Sequence, residues 1–103
     1  MVKVSVFYPN KKGHTFNMDY YCDRHIPLVR RLLGPALKGS AVEKGLGGAT
    51  PGSPATYVAM GHLLFDSAEA FQQAFGPHAE AILGDIPNYT TIEPVIQISE
   101  VKL

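Results

Sequence analysis

The chain has 103 residues, of which 46% are hydrophobic and 17% are charged. This composition predicts one globular domain over residues 1–103, because it is too apolar for a disordered chain and the chain is too short to divide. Nine Lys and Arg balance nine Asp and Glu, so nucleic acid is not an expected partner. No apolar run is long enough to span a membrane, and the single cysteine, Cys22, excludes an internal disulfide. Without a signal-peptide pattern at its start, the sequence predicts a cytoplasmic protein.

Four segments of the sequence predict β-strands. Between Val2 and Tyr8, apolar residues occupy alternate positions, which is the period of a strand. Residues 37–44, 56–65 and 91–101 predict the second, third and fourth strands. The glycine-rich stretch between the second and third strands lacks the Gly-Lys-Ser/Thr of a phosphate loop, so we interpret it as a linker.

A helix is predicted over residues 17–33, with Asn17 as its N-cap. Apolar residues recur on one wide stripe at helical spacing, so this face is expected to be buried, with Cys22 and His25 on it. Pro27 has no N–H to donate and therefore predicts a kink next to His25.

A second helix follows the third strand, with Asp66 as its predicted N-cap and Glu69 three residues later, as in a capping box. The order of elements is therefore strand, helix, strand, strand, helix, strand. This order predicts the ferredoxin-like α+β class, βαββαβ, in which a four-stranded antiparallel sheet carries its helices on one face.

The third strand predicts a homodimer. Two helices cover only one face of the sheet, yet Val58, Met60 and Leu64 are apolar on the side opposite the helix-facing residues. A soluble monomer rarely leaves such a patch open. Two sheets packed face to face across a two-fold axis would bury it.

The uncovered sheet face also carries polar groups among its apolar residues. Its candidate ligand-binding residues are Ser5, Phe7, Met60, His62 and Gln97. A mostly apolar surface with a few polar groups is typical of a small-molecule pocket. A subunit interface with some buried hydrogen bonds fits the same pattern, so the sequence leaves both interpretations open.

His25 is the candidate catalytic residue. It follows Tyr21 by four positions, so both rings project from one side of the helix, and Tyr21 becomes a further candidate ligand-binding residue. Histidine at such a place acts as a general base or as a hydrogen-bond donor to a carbonyl oxygen. The alternative is a core histidine bonded to a backbone carbonyl. The four histidines, which include His14, His62 and His78, lack the spacing of metal ligands, so no metal site is predicted.

The helix around His25 resembles a family signature. From Met18 to Val29 the sequence reads MDYYCDRHIPLV, which is similar to the D-Y-Y-x-x-x-H-x-P-L signature of EthD-type proteins. Residues 65–71 (FDSAEAF) and 94–98 (PVIQI) also resemble that family. The resemblance spans nearly the whole chain and implies a homodimeric α+β barrel.

The resemblance further implies a link to bacterial degradation of ethers or of aromatic and other xenobiotic compounds. Relatives with the same barrel include cofactor-free monooxygenases, polyketide cyclases and a methylmuconolactone methylisomerase, in which a helix histidine matches His25 by position. We therefore expect a small, mostly apolar organic ligand between the sheet and its helices, with no bound cofactor and with His25 as acid or base of an oxidoreductase or isomerase. The alternatives are a non-catalytic accessory protein of a degradation pathway and a haem-handling barrel.

Overall fold

The computed structural model describes residues 1–103 and shows a four-stranded antiparallel sheet with the strand order β2-β3-β1-β4. The strands are β1 (Val2–Pro9), β2 (Gly39–Lys44), β3 (Tyr57–Phe65) and β4 (Val95–Glu100). The helices are α1 (Met18–Tyr20), α2 (Ile26–Leu33), α3 (Ala68–Phe75) and α4 (Ala79–Gly84). The predicted ferredoxin-like α+β fold is confirmed. None of these helices has the length and apolar character that crossing a membrane requires.

Helices α1 and α2 are joined by a π-helical turn, Tyr21–His25. The Asn17 side chain accepts a hydrogen bond from the Tyr20 N–H at 3.0 Å, so the predicted N-cap is confirmed. The Ile26 N–H bonds the Tyr21 carbonyl, five residues back instead of four. The irregularity expected beside Pro27 therefore takes the form of a π-turn that ends at His25.

The prediction that Cys22 lies on the buried face of the first helix was wrong. The π-turn directs Tyr21 and His25 into the protein, and both side chains are buried. Adjacent helical residues project roughly 100° apart. Cys22 therefore faces solvent and is exposed.

Several element boundaries differ from those predicted. Strands β2 and β3 begin slightly later than expected, and residues 91–94 are not part of β4. Pro94 has no N–H for the sheet ladder, and Ile92 packs into the core instead. The N-cap of α3 is Ser67, whose hydroxyl accepts from the Ala70 N–H at 3.0 Å, so the prediction of Asp66 was wrong by one residue.

The alternation in β1 separates the two faces of the sheet as predicted. Val4 and Tyr8 are buried beneath the helices. Ser5 and Phe7 project from the opposite face. The core therefore lies between the sheet and the helices, and the far face of the sheet has no covering layer within the chain.

Candidate functional site

A cavity of about 250 Å³ lies between the sheet and the helices. Thirteen of its fifteen lining residues are hydrophobic, and the other two are His25 and Gly61. The sheet contributes Val4, Val6, Tyr8, Gly61, Leu63 and Ile96, and the helical segments contribute residues that include Tyr21, Ile26, Val29, Phe71, Phe75 and Ile82. An apolar cavity of about 150 Å³ is enough to bind benzene. This cavity therefore has room for a small organic molecule.

His25 lines this cavity and has one ring nitrogen without a partner in the protein. Only 5% of the residue is accessible, and its Nδ1 bonds the Oδ2 of Asp85 at 2.9 Å. Nε2 has no hydrogen-bond partner within the protein. Every polar side-chain atom that is fully enclosed does have a partner, so Nε2 is not fully enclosed. Nε2 therefore keeps some accessible surface, and His25 is one of the residues that line the cavity.

Asp85 is fixed by two further donors. The Tyr20 hydroxyl donates to Oδ1 at 2.8 Å, and the Asn88 side-chain amide donates to the same oxygen at 2.9 Å. Burial raises the pKa of Asp85, but the hydrogen bonds from Asn88, His25 and Tyr20 outweigh burial and hold the pKa below its ordinary value. Asp85 is therefore ionised and accepts the Nδ1–H of His25.

His25 is neutral at neutral pH. Burial lowers the pKa of His25, and the hydrogen bond and negative charge of Asp85 offset only part of this effect. With the proton on Nδ1, the lone pair of Nε2 is free in the cavity. The arrangement supplies one oriented base in an otherwise apolar space.

Aromatic rings hold His25 in place. Tyr21 stacks on it with ring centroids 5.5 Å apart and an interplanar angle of 14°, and Tyr89 lies at 4.7 Å. The Tyr89 and Tyr8 hydroxyls are hydrogen-bonded at 2.6 Å. The Tyr21 hydroxyl lies directly against Gly61, where a Cβ would collide with it. Glycine at this position of β3 therefore admits the Tyr21 ring.

The predicted site residues divide between the two faces of the sheet. His25 and Tyr21 line the cavity. The remaining candidates, Ser5, Phe7, Met60, His62 and Gln97, lie on the uncovered face and line no part of this cavity. The sheet itself separates the two groups, so one ligand does not contact both. A ligand-binding role for the second group stays a prediction.

The uncovered face brings three of its candidates into one row across the strands. Ser5 on β1 is paired with His62 on β3 and Gln97 on β4. The Ser5 hydroxyl is 3.0 Å from His62 Nδ1, and His62 Nε2 is 3.0 Å from a Glu43 carboxylate oxygen. The polar groups of this face therefore bond one another. No three His, Cys, Asp or Glu side chains come together as a metal site would require.

Sequence reasoning missed Asp85. It lies 60 residues after His25 at the C-terminal end of α4, where no periodic pattern marks it. One signal could have found it, because a carboxylate at the negative end of a helix is electrostatically unfavourable and calls for a compensating partner. That partner is the Nδ1–H of His25.

Comparisons with known proteins agree with this fold and include the helix that carries His25. The EthD domain model matches residues 14–93. An EthD-like protein of solved structure from Ralstonia eutropha JMP134 is 51% identical, with 99% of this chain and 92% of that chain covered and a TM-score of 0.95. An ethyl tert-butyl ether D family protein from Bacillus halodurans C-125 is 22% identical, with 99% of each chain covered and a TM-score of 0.76. A dimeric ferredoxin-like protein from Thermobifida fusca YX is 17% identical, with 97% and 90% covered and a TM-score of 0.61.

The last two likenesses show the fold alone, and no curated protein matches the chain. The domain model spans the segment with both His25 and Asp85, as well as most of the chain. The chain belongs to the EthD family.

Proposed function

We propose that the protein binds a small, mostly apolar organic compound in the cavity and that His25 acts on it as a general base or acid. One observation carries the proposal: Nδ1 of His25 is anchored to Asp85, while Nε2 has no partner in the protein and the residue lines an apolar cavity. A core histidine with both nitrogens bonded to the protein would leave nothing for a ligand. His25 does not have that arrangement.

The chemistry follows from the protonation state. A neutral imidazole takes a proton at Nε2, and the Asp85 carboxylate stabilises the imidazolium that results. Such an oriented base contributes roughly 10²–10⁴ to a rate. Proton transfer of this kind serves a cofactor-independent oxidoreductase or isomerase. We place the reaction in the breakdown of ethers or of aromatic and other xenobiotic compounds, and a cytoplasmic location stays a prediction.

The cavity volume bears on the haem alternative. Sites for drug-sized ligands have volumes of roughly 300–1,000 Å³, and the cavity of about 250 Å³ is smaller than these. A haem macrocycle needs far more room beside a histidine. We therefore propose a small organic ligand in place of haem.

Native mass spectrometry of freshly purified protein tests whether a small molecule is bound, and turnover of that molecule or its close analogues tests catalysis. We expect His25→Gln to lose about 10²–10⁴ in rate while keeping the fold. His14→Gln is the matched control, because His14 is exposed, bonds Thr91 and is not part of the cavity lining. Binding without turnover by the natural chain would identify an accessory binding protein. Equal turnover by His25→Gln and His14→Gln would refute the catalytic role of His25.

We also propose that two copies pack through their uncovered sheet faces. Phe7 on β1 is paired with Met60 on β3 and Val95 on β4, so the three form an apolar row, and Val95 is 52% exposed. Sedimentation should show a dimer for the natural chain and a monomer for Met60→Asp. Leu46→Asp, at an exposed loop position, should remain dimeric. A natural chain that sediments as the 11.2 kDa monomer at micromolar concentration would contradict the proposal.

A further inference from the structure

The composition of the cavity lining restricts the charge of its ligand. Apart from the two tyrosines, His25 is the only lining residue with a polar side chain. The lining contains no Lys, Arg, Asp or Glu. A carboxylate or ammonium group buried there would meet no side chain that is charged at neutral pH, so the loss of its hydration would not be compensated. The cavity therefore selects an uncharged compound.

The lining also restricts the reaction. It contains no Ser, Thr, Cys or Lys that could attack a substrate. The reactive lone pair is that of His25 Nε2, which can take a proton. The substrate must consequently carry a proton acidic enough for a neutral imidazole.

The neutral hydrogen-bond donors of the cavity lining are tyrosine hydroxyls. Tyr21 is 2% exposed, stacks on His25, and reaches the sheet at Gly61. Burial, together with the neighbouring Tyr8 hydroxyl, raises the pKa of Tyr21, so its hydroxyl stays protonated. It can donate to a ligand oxygen in exchange for the oxygen of Tyr8. A base and a neutral donor thus project side by side from one helical turn, which is the combination that stabilises an anionic oxygen formed by proton removal.

Resting on the proposed function, we propose that the substrate is an uncharged, one-ring compound whose acidic group is a phenol or an enolisable carbonyl. The O–H or C–H bond breaks, the proton goes to Nε2 of His25, and the electron pair stays on the substrate. The ring or carbonyl delocalises that pair, and the Tyr21 hydroxyl donates to the anionic oxygen. Delocalisation matters because the lining provides no cation besides the imidazolium itself.

Binding of toluene, phenol and a series of fluorinated phenols to the purified protein tests this class of substrate. Toluene measures the apolar cavity alone, and phenol adds the hydroxyl at nearly the same size. We expect phenol to bind about 10- to 100-fold more tightly than toluene, as two buried hydrogen bonds would give. Among the fluorophenols, affinity should rise with acidity at a pH where all are neutral in solution.

Two variants assign the effect to the two side chains. Tyr21→Phe removes one oxygen atom, and His25→Gln removes the base; each should cost phenol about tenfold in affinity and leave toluene unchanged. Tyr57→Phe is the control, because Tyr57 contacts Phe7 and is not part of the cavity lining. If His25→Gln fails to fold, Tyr21→Phe still tests whether phenol binding depends on a hydrogen bond in the cavity.

The outcomes separate the two proposals. If toluene binds and phenol binds no more tightly, or if the affinity of the fluorophenols does not depend on their acidity, the proposed substrate class is wrong. The proposal that the cavity binds a small apolar compound would still hold. Failure of both toluene and the phenols to bind would overturn the proposed function itself.

Discussion

Replacing Asp85 with Asn should move the proton of His25 from one ring nitrogen to the other. Tyr20 and Asn88 both donate to Oδ1 of Asp85. In the Asp85→Asn variant the amide carbonyl oxygen must occupy this position, because an NH₂ group there would face two donors. The NH₂ group then faces Nδ1 of His25 and donates to it. The proton of His25 is consequently placed on Nε2, and the cavity loses its base.

The magnitude follows from these contacts. Loss of an oriented base removes about 10²–10⁴ of the rate. The three hydrogen bonds of Asp85 are replaced rather than lost. Each changes from a charge-assisted bond of about 1.5–3 kcal/mol to a neutral one of about 0.5–1.5 kcal/mol, so the three together should lower the free energy of unfolding by about 3–4.5 kcal/mol.

The assay is a long-range ¹H–¹⁵N correlation spectrum of protein labelled at histidine, recorded above the pKa of His25. The natural chain should show His25 with the proton on Nδ1, and Asp85→Asn should show it on Nε2. Asp23→Asn is the control, since it removes the same charge from the exposed side of the π-turn. The same His25 tautomer in the natural chain and in Asp85→Asn would refute the reasoning.

Two further predictions concern pH and packing. Burial lowers the pKa of His25 in the folded chain below its ordinary value of 6.5. As the pH falls below 6.5, His25 is therefore protonated more readily in the unfolded chain than in the folded one. The free energy of unfolding consequently decreases with falling pH. Urea denaturation at about pH 7.5 and about pH 5.5 should show this loss for the natural chain, and an equal loss in His25→Gln would contradict it. Gly61→Ala should lower the free energy of unfolding by about 1–3 kcal/mol, because the new methyl group meets the Tyr21 hydroxyl. Gly76→Ala meets no atom within 4 Å and is the control; equal melting temperatures would show that Tyr21 moves freely.

Local patterns in the sequence predicted the fold and two of the residues that line the cavity. Alternation in β1 identified the face that packs on the helices, because successive side chains of a strand point to opposite faces. Pro27 marked the place where the helix departs from α-helical geometry, because the missing N–H is a property of the residue itself. His25 and Tyr21 were identified because they are four residues apart on an apolar helical face.

Only the tertiary structure decided which groups act together. Asp85 contacts His25 across 60 residues of chain, and no local period connects two residues so far apart. The position of the cavity was equally beyond local patterns, because a space between sheet and helices depends on how the lining side chains of both layers fill it. Strand and helix periods are dictated by neighbouring residues, whereas a cavity and a hydrogen bond between distant residues exist only once the layers have packed.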